Sequence, residues 1–374
     1  MAVKEITDRI PDFNFHLITN RISRDLKRKE KIGNVLVFRV GVPYWNEKQF
    51  SRRWSNLFFI FFAFFKALQL NFRFRYKIIW PIMAAYASAP ALFLKILFPP
   101  KKLILTLQEG DAPEHILKRV SRLRYPIWRL IFVLSGHIQA ISEYLKDFAV
   151  KHGADISKIS VVPNGVDIEK LKAQSSKFKV GIQNLKSELN IKSDEKVIIT
   201  TSRLVYKNAV DVIIEAVHIL LVTGYWLRVN LLIVGGGPEE KNLKLKIKNL
   251  KLQNQVILLG NVAPDEVYKY LAISDIFVRP SRSEGLGNSF LEAMAMEVPV
   301  IGTAVGGIPD FLKNGETGLF CEVDNPKDLA EKIKILFENN ELRGHIIQNA
   351  KKLVEEKYDW NLISQKMKMI FEGL

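Results

Sequence analysis

The chain has 374 residues, 55 Lys+Arg against 39 Asp+Glu, and a single cysteine, Cys321. That length exceeds one ordinary core and suits two domains, and one cysteine excludes an internal disulfide and a thiolate metal site. The net charge of +16 is concentrated: residues 1–190 hold 32 basic and 15 acidic side chains, and residues 191–374 hold 23 and 24. No aromatic-basic motif or named fold for nucleic acid accompanies that charge. The first residues are polar and mixed in charge, unlike a secretory leader, so a cytoplasmic compartment is expected.

In chain order, residues 1–10 read as the end of a helix, residues 13–19 as a strand, and Val35–Val40 as the next strand. Arg52-Arg53-Trp54 precede an apolar run at 57–65, followed by Lys66 and the basic run Arg73-Phe74-Arg75-Tyr76-Lys77. The run is too short to span a bilayer. Two readings stay open for it. It is a helix packed on the N-terminal sheet and hydrophobic nearly all round, or a basic, aromatic helix at an anionic membrane surface. Residues 76–80 read as a strand, 83–97 as a helix, and Lys102–Leu107 as a strand running into Gln108-Glu109-Gly110-Asp111. A helix over Tyr125–Leu134, a strand over 136–141 and a helix capped by Ser142 follow. Residues 168–192 are lysine-rich and carry the hinge. A second strand–helix alternation runs from 197 to about Glu356, and 360–374 is an amphipathic helix. The pattern predicts an α/β chain with an N-terminal domain at 1–185, a C-terminal domain at 186–357 and a final helix at 358–374.

The stretch Arg279 to Pro309 is the most informative. A buried strand at 275–278 ends at Pro280; Glu284 and the turn Gly285-Leu286-Gly287-Asn288 open an apolar helix carrying Glu292; the next strand lies at 298–302. Strand, glycine turn and helix N-terminus together make an anion site, since backbone N–H groups and the helix dipole point at one spot. Two carboxylates beside it can accept hydrogen bonds from ligand hydroxyls, which describes a sugar nucleotide. Arg203 and Lys207 stand four apart at a strand-to-helix junction, so both can face one cleft. Gly260-Asn261-Val262 follows another strand end and is placed to flank a base.

These residues carry a resemblance. The segment EGLGNSFLEAMAMEVPVIGT resembles the Glu-x7-Glu signature of glycosyltransferase family 4, retaining enzymes of the GT-B fold. Ser202-Arg203-Leu204-Val205-Tyr206-Lys207-Asn208 is similar to the family's Gly-Arg-Leu-x-x-x-Lys segment. Ile233 to Pro238 and Val162 to Asp167 match two further markers. The resemblance implies two Rossmann-like domains facing each other across a cleft, with the last helix crossing back to the first domain. It makes Arg203 and Lys207 clamps on the donor diphosphate, Glu284 a contact of the transferred sugar and Glu292 a contact of the ribose. Gly285, Leu286, Gly287 and Asn288 would offer backbone N–H groups. The family's usual proposal is front-face attack, with the leaving phosphate taking the acceptor's proton. Where members often read Thr-Leu-His-Gly-x-Asp, this chain has Thr106-Leu107-Gln108-Glu109-Gly110-Asp111. Gln108 can bond a donor hydroxyl but cannot titrate, while Asp111 either orients a substrate or caps the following turn. Members also carry a first strand and Gly-Gly turn upstream of the first helix. Their absence here leads to the expectation of a truncated reading frame or a wrong start at Met1, with a divergent but complete domain as the alternative.

The resemblance therefore implies a glycosyltransferase moving a sugar from a nucleotide-diphosphate donor to an unknown acceptor, lipid-linked or a polysaccharide precursor, with retention. No cofactor is expected. Asp-x-Asp, His/Cys clusters and G-x-G-x-x-G are absent, so cations replace a metal. The expected place is the cytoplasm, with a peripheral position on the inner face of the plasma membrane compatible with the basic half. The alternatives are a sugar-nucleotide epimerase on the same scaffold and a non-catalytic donor-binding or membrane-surface protein.

Overall fold

A computed structural model describes residues 2–43, 49–111, 113–120, 125–178, 182–224 and 228–373. Of the segments named above, Met1, residues 179–181 and Leu374 lie outside the described residues, as do the side chains of Arg52 and Arg53. The chain forms two compact units, Met1–Asn164 with Trp360–Leu374, and Gly165–Asp359.

In the first unit, β1 (Phe15–Asn20) pairs parallel with β3 (Val35–Val40), and β2 (Lys29–Ile32) pairs antiparallel with β3. The β2 strand was not expected from the sequence. Its signal is the two-residue turn Gly33-Asn34 between two short runs. Asn34 fixes that turn by donating from its amide to the carbonyls of Thr7, Ile10 and Phe13, while its N–H donates to Asp8. A second sheet of the same unit is parallel throughout, in the order β4 (Ile78–Ile79), β5 (Lys102–Leu107), β6 (His137–Ala140), β7 (Ile159–Val161). Among the described residues no strand joins β1 to β4, and both line a largely apolar cavity of about 1190 Å³. The helix Ala2–Asp8 and the C-terminal helix Trp360–Glu372 share a core of Ile6, Ile10, Trp360, Ile363, Met367 and Phe371. The last helix thus packs on the first unit, as the resemblance implies.

The apolar run at 57–65 belongs to a 26-residue helix, Gln49–Phe74. By length and composition its stretch Trp54–Phe74 is long and apolar enough to cross a membrane, which corrects the expectation drawn from the shorter run. It is not hydrophobic-and-buried all round. Phe59, Ala63 and Leu70 recur at helical spacing and are buried, with the helix packed on β1 and β3. Phe58, Phe61, Phe62, Phe65 and Phe72 are exposed.

The second unit holds six parallel strands in the order β10 (Val256–Gly260), β9 (Val229–Val234), β8 (Lys196–Thr201), β11 (Ile276–Arg279), β12 (Val300–Thr303), β13 (Leu319–Cys321). Ile198, Leu231, Ile233, Ile276, Val278 and Ile301 are fully buried, as expected of parallel strands covered by helices on both faces. The strand order reverses between β8 and β11, whose register pairs Ile198 with Ile276 and Ile199 with Phe277. In open parallel sheets, ligands bind beyond the carboxyl ends of the strands at such a reversal.

Candidate functional site

The segments leaving β8 and β11 carry the expected residues. After β8 the backbone of Ser202 to Leu204 lies against the loop Gly235-Gly236-Gly237. Leu204 N–H donates to the Gly236 carbonyl at 3.0 Å. A Cβ on Gly235 would stand 1.9 Å from the Ser202 carbonyl oxygen, and one on Gly237 would stand 2.3 Å from that of Leu204. Side chains are excluded there, so Arg203 leaves the strand end on a backbone packed against glycine. Gly235 N–H in turn donates to the Gly260 carbonyl at 2.7 Å, which brings the Asn261-Val262 loop beside the same glycines. Arg203 is exposed at the surface. Lys207 is half-buried and engaged, in a single 3-10 turn, Tyr206–Asn208.

After β11, Glu284 is 8% exposed. Its Oε1 accepts from Gly285 N–H at 3.1 Å, so that N–H is already taken. Its Oε2 stands 2.6 Å from Arg279 Nη2 but lacks a well-aligned hydrogen bond among the described residues. Oε2 is thus enclosed beside the Arg279 guanidinium. The helix Asn288–Ala295 starts after Gly287, whose φ of 101° favours glycine, and no side chain caps it. Leu286 is buried and Asn288 half-buried. Glu292 lies one turn into this helix, and its carboxyl takes no hydrogen bond from the described residues. Burial raises its pKa to about 7 against the pull of Arg279.

Two arginines that the sequence reading left without a role bind these segments together. Arg282 donates to the Tyr206 carbonyl, sits over the Tyr206 ring at 4.1 Å and pairs with Asp211 at 2.8 Å and Asp324 at 2.6 Å. Its backbone N–H donates to the Lys207 carbonyl at 2.7 Å. Arg279 reaches Asn208 at 3.0 Å and Ser289 at 2.7 Å. The signal was present in Arg279-Pro280-Ser281-Arg282, because a cation closing a buried strand needs a partner.

Gln108 and Asp111 belong to the other unit, at the carboxyl end of β5. The sequence reading passed over Glu109 between them. Its carboxylate is 5% exposed and accepts from Ala84 N–H at 2.6 Å and Gln108 N–H at 3.0 Å. Burial raises its pKa, with the charge of Asp111 adding to the effect. Glu109 ties the β5 exit to the loop after β4. Among the described residues no cluster of three His, Cys, Asp or Glu is placed to hold a metal ion.

Known proteins resemble this chain in sequence and in fold. Residues 11–170 match the family described as Glycosyltransferase Family 4, and residues 181–353 match Glycosyl transferases group 1. An N-acetyl-alpha-D-glucosaminyl L-malate synthase of Bacillus anthracis is 33% identical over 194 residues, 52% of this chain and 50% of that protein. The chain thus spans about half the length of that relative. A glycosyltransferase of Methanocaldococcus jannaschii, itself uncharacterized, is 31% identical over 277 residues, 72% of this chain and 68% of its own length. The structure of Anabaena Alr3699/HepE in complex with UDP and glucose has the same fold. Its TM-score is 0.76 at 18% identity, with 100% of this chain and 95% of that one covered. These matches give no support to the expectation of a truncated start. The chain belongs to glycosyltransferase family 4, the group 1 glycosyltransferases.

Proposed function

We propose that this protein transfers a sugar from a nucleoside-diphosphate sugar to an acceptor, with the donor held by the second unit. One observation carries the reading. Arg203 and Lys207, the uncapped start of the helix Asn288–Ala295, and the buried Glu284 all belong to segments leaving adjacent strands at the sheet's reversal point. Arg203 and Lys207 take the diphosphate, Glu284 a hydroxyl of the transferred sugar, Glu292 the ribose hydroxyls, and Val262 flanks the base. In the transfer the anomeric carbon–oxygen bond to the diphosphate breaks and an acceptor oxygen bonds to that carbon with retention. The acceptor's proton passes to the departing phosphate. Charge accumulates on the diphosphate, where fixed cations stabilise it most. Asp111 and Gln108 serve the acceptor side or the sugar. The HepE complex was solved with UDP and glucose, so a uridine donor is the first to try.

The acceptor side of this reading is a membrane surface. Its support is the exposed aromatic face of Gln49–Phe74, with Phe61 57% and Phe72 70% exposed. Ile96 and Leu97 extend that apolar surface on the adjoining helix Ser88–Leu97, and the excess of basic residues lies in the same half of the chain. A lipid-linked acceptor would be presented there. The test is calorimetric titration with UDP-, GDP- and ADP-sugars, followed by an assay for release of the nucleoside diphosphate on addition of membrane lipids. Saturable binding of one donor, abolished in Glu284→Ala, is expected. No binding across the panel would remove the reading.

A further inference from the structure

The guanidinium of Arg279 stands where three donor-site segments meet. It closes β11, and its side chain is 11% exposed. Nη1 donates to Ser289 Oγ at 2.7 Å, in the first turn of the helix that carries Glu292. Nη2 donates to Asn208 Oδ1 at 3.0 Å and lies 2.6 Å from Glu284 Oε2. Asn208 in turn donates from Nδ2 to the Arg203 carbonyl at 2.6 Å. An unbroken chain of contacts therefore runs from the backbone of the diphosphate-side cation to the sugar-side carboxylate, through one planar group. A buried guanidinium is costly unless its partners are well placed. A lysine here would supply the charge without the rigid fork that reaches several partners at once. Nε of Arg279 is buried with no partner among the described residues. Satisfying its own donors therefore does not explain this placement, whereas holding Asn208, Ser289 and Glu284 together does.

We propose that Arg279 is a positioning residue for the donor: it locks the Glu284 turn to the Arg203–Lys207 loop, so that the sugar-binding carboxylate and the diphosphate-binding cations keep a fixed spacing. The inference rests on the donor reading above. It makes Arg279 a determinant of how much the sugar adds to nucleotide affinity. Without the fork, the cations still meet a diphosphate, but Glu284 is no longer held against the sugar.

The experiment uses the full chain and has two arms. In the first, UDP-glucose and UDP are titrated into wild type, Arg279→Gln, Arg279→Lys and Asn208→Ala. Arg279→Gln should weaken UDP-glucose by about tenfold or more, the worth of one charged hydrogen-bond contact, while UDP weakens much less. Arg279→Lys should fail to restore the difference. Equal losses for both ligands would mean a general structural role and overturn the proposal. The second arm needs no ligand. Amide hydrogen exchange should quicken in residues 203–209 and 281–290 together in Arg279→Gln, and in the same two segments in Asn208→Ala. Loosening of one segment alone, or of neither, would overturn the coupling. A wild type that binds neither UDP nor UDP-glucose would count against a uridine donor, and the exchange arm would still decide for or against Arg279.

Discussion

Replacing Glu292 by glutamine should reverse part of the protein's pH dependence. Burial raises the pKa of this carboxyl from 4.5 to about 7 in the folded chain, so the native state binds more protons than the unfolded one between those values. Stability contributed by this group therefore falls as pH rises, and the loss is complete above about pH 8. Below pH 4.5 the carboxyl is neutral in both states, so the contribution is fully present and no longer varies with pH. Between pH 5 and pH 8 the linkage amounts to roughly 2–3 kcal/mol. Glutamine keeps the shape and loses the titration. Urea denaturation of wild type and Glu292→Gln at both pH values isolates the term, because all other titrating groups are common to the two chains. The variant should gain about 2–3 kcal/mol on wild type in going from pH 5 to pH 8. Parallel stability curves would refute the argument that Glu292 is held in a desolvated place. A donor whose ribose hydroxyls bond to the carboxylate should pull the pKa down and release a proton on binding near pH 6–7.

Three further outcomes follow from the same geometry. Lys207→Ala should lower kcat by about 10²–10³ and leave the fold intact, the usual effect of removing one fixed stabiliser of developing charge; unchanged steady-state turnover would place the diphosphate elsewhere. Gly235→Ala puts a Cβ 1.9 Å from the Ser202 oxygen at φ +134° and should cost about 3 kcal/mol or more, read by thermal melting; an unshifted melting temperature would contradict the close approach. Phe61→Glu with Phe65→Glu should weaken sedimentation with anionic vesicles by roughly two orders of magnitude without altering the circular dichroism; equal binding would remove the aromatic face from any membrane role.

Much of this was legible in the chain because the physics is local. Leu103–Leu107 is an uninterrupted leucine and β-branched run, and it is buried throughout, with only the leading Lys102 of the strand exposed. Ser142 precedes its helix as an N-cap, and its hydroxyl accepts from Leu145 N–H at 3.3 Å. The eight-residue spacing of Glu284 and Glu292 survives folding as turn and helix face. Long-range consequences were hidden. Asn208 and Arg279 are 71 positions apart and meet only because β8 and β11 are neighbours in the sheet. The helix Gln49–Phe74 concealed its buried stripe because phenylalanine occupies its exposed face as well as its packed one. Strand β2 is short, charged and exposed, so its apolar pattern is faint, and only the Gly33-Asn34 turn announces it.

The most direct test of the central claim is a crystal structure of the protein with UDP-glucose, collected beside the Glu284→Gln variant. The account predicts the diphosphate on Arg203 and Lys207 at the carboxyl ends of β8 and β11, with a glucose hydroxyl within hydrogen-bond distance of the Glu284 carboxyl. A nucleotide bound away from that end of the sheet, or a glucose that leaves Glu284 uncontacted, would contradict it.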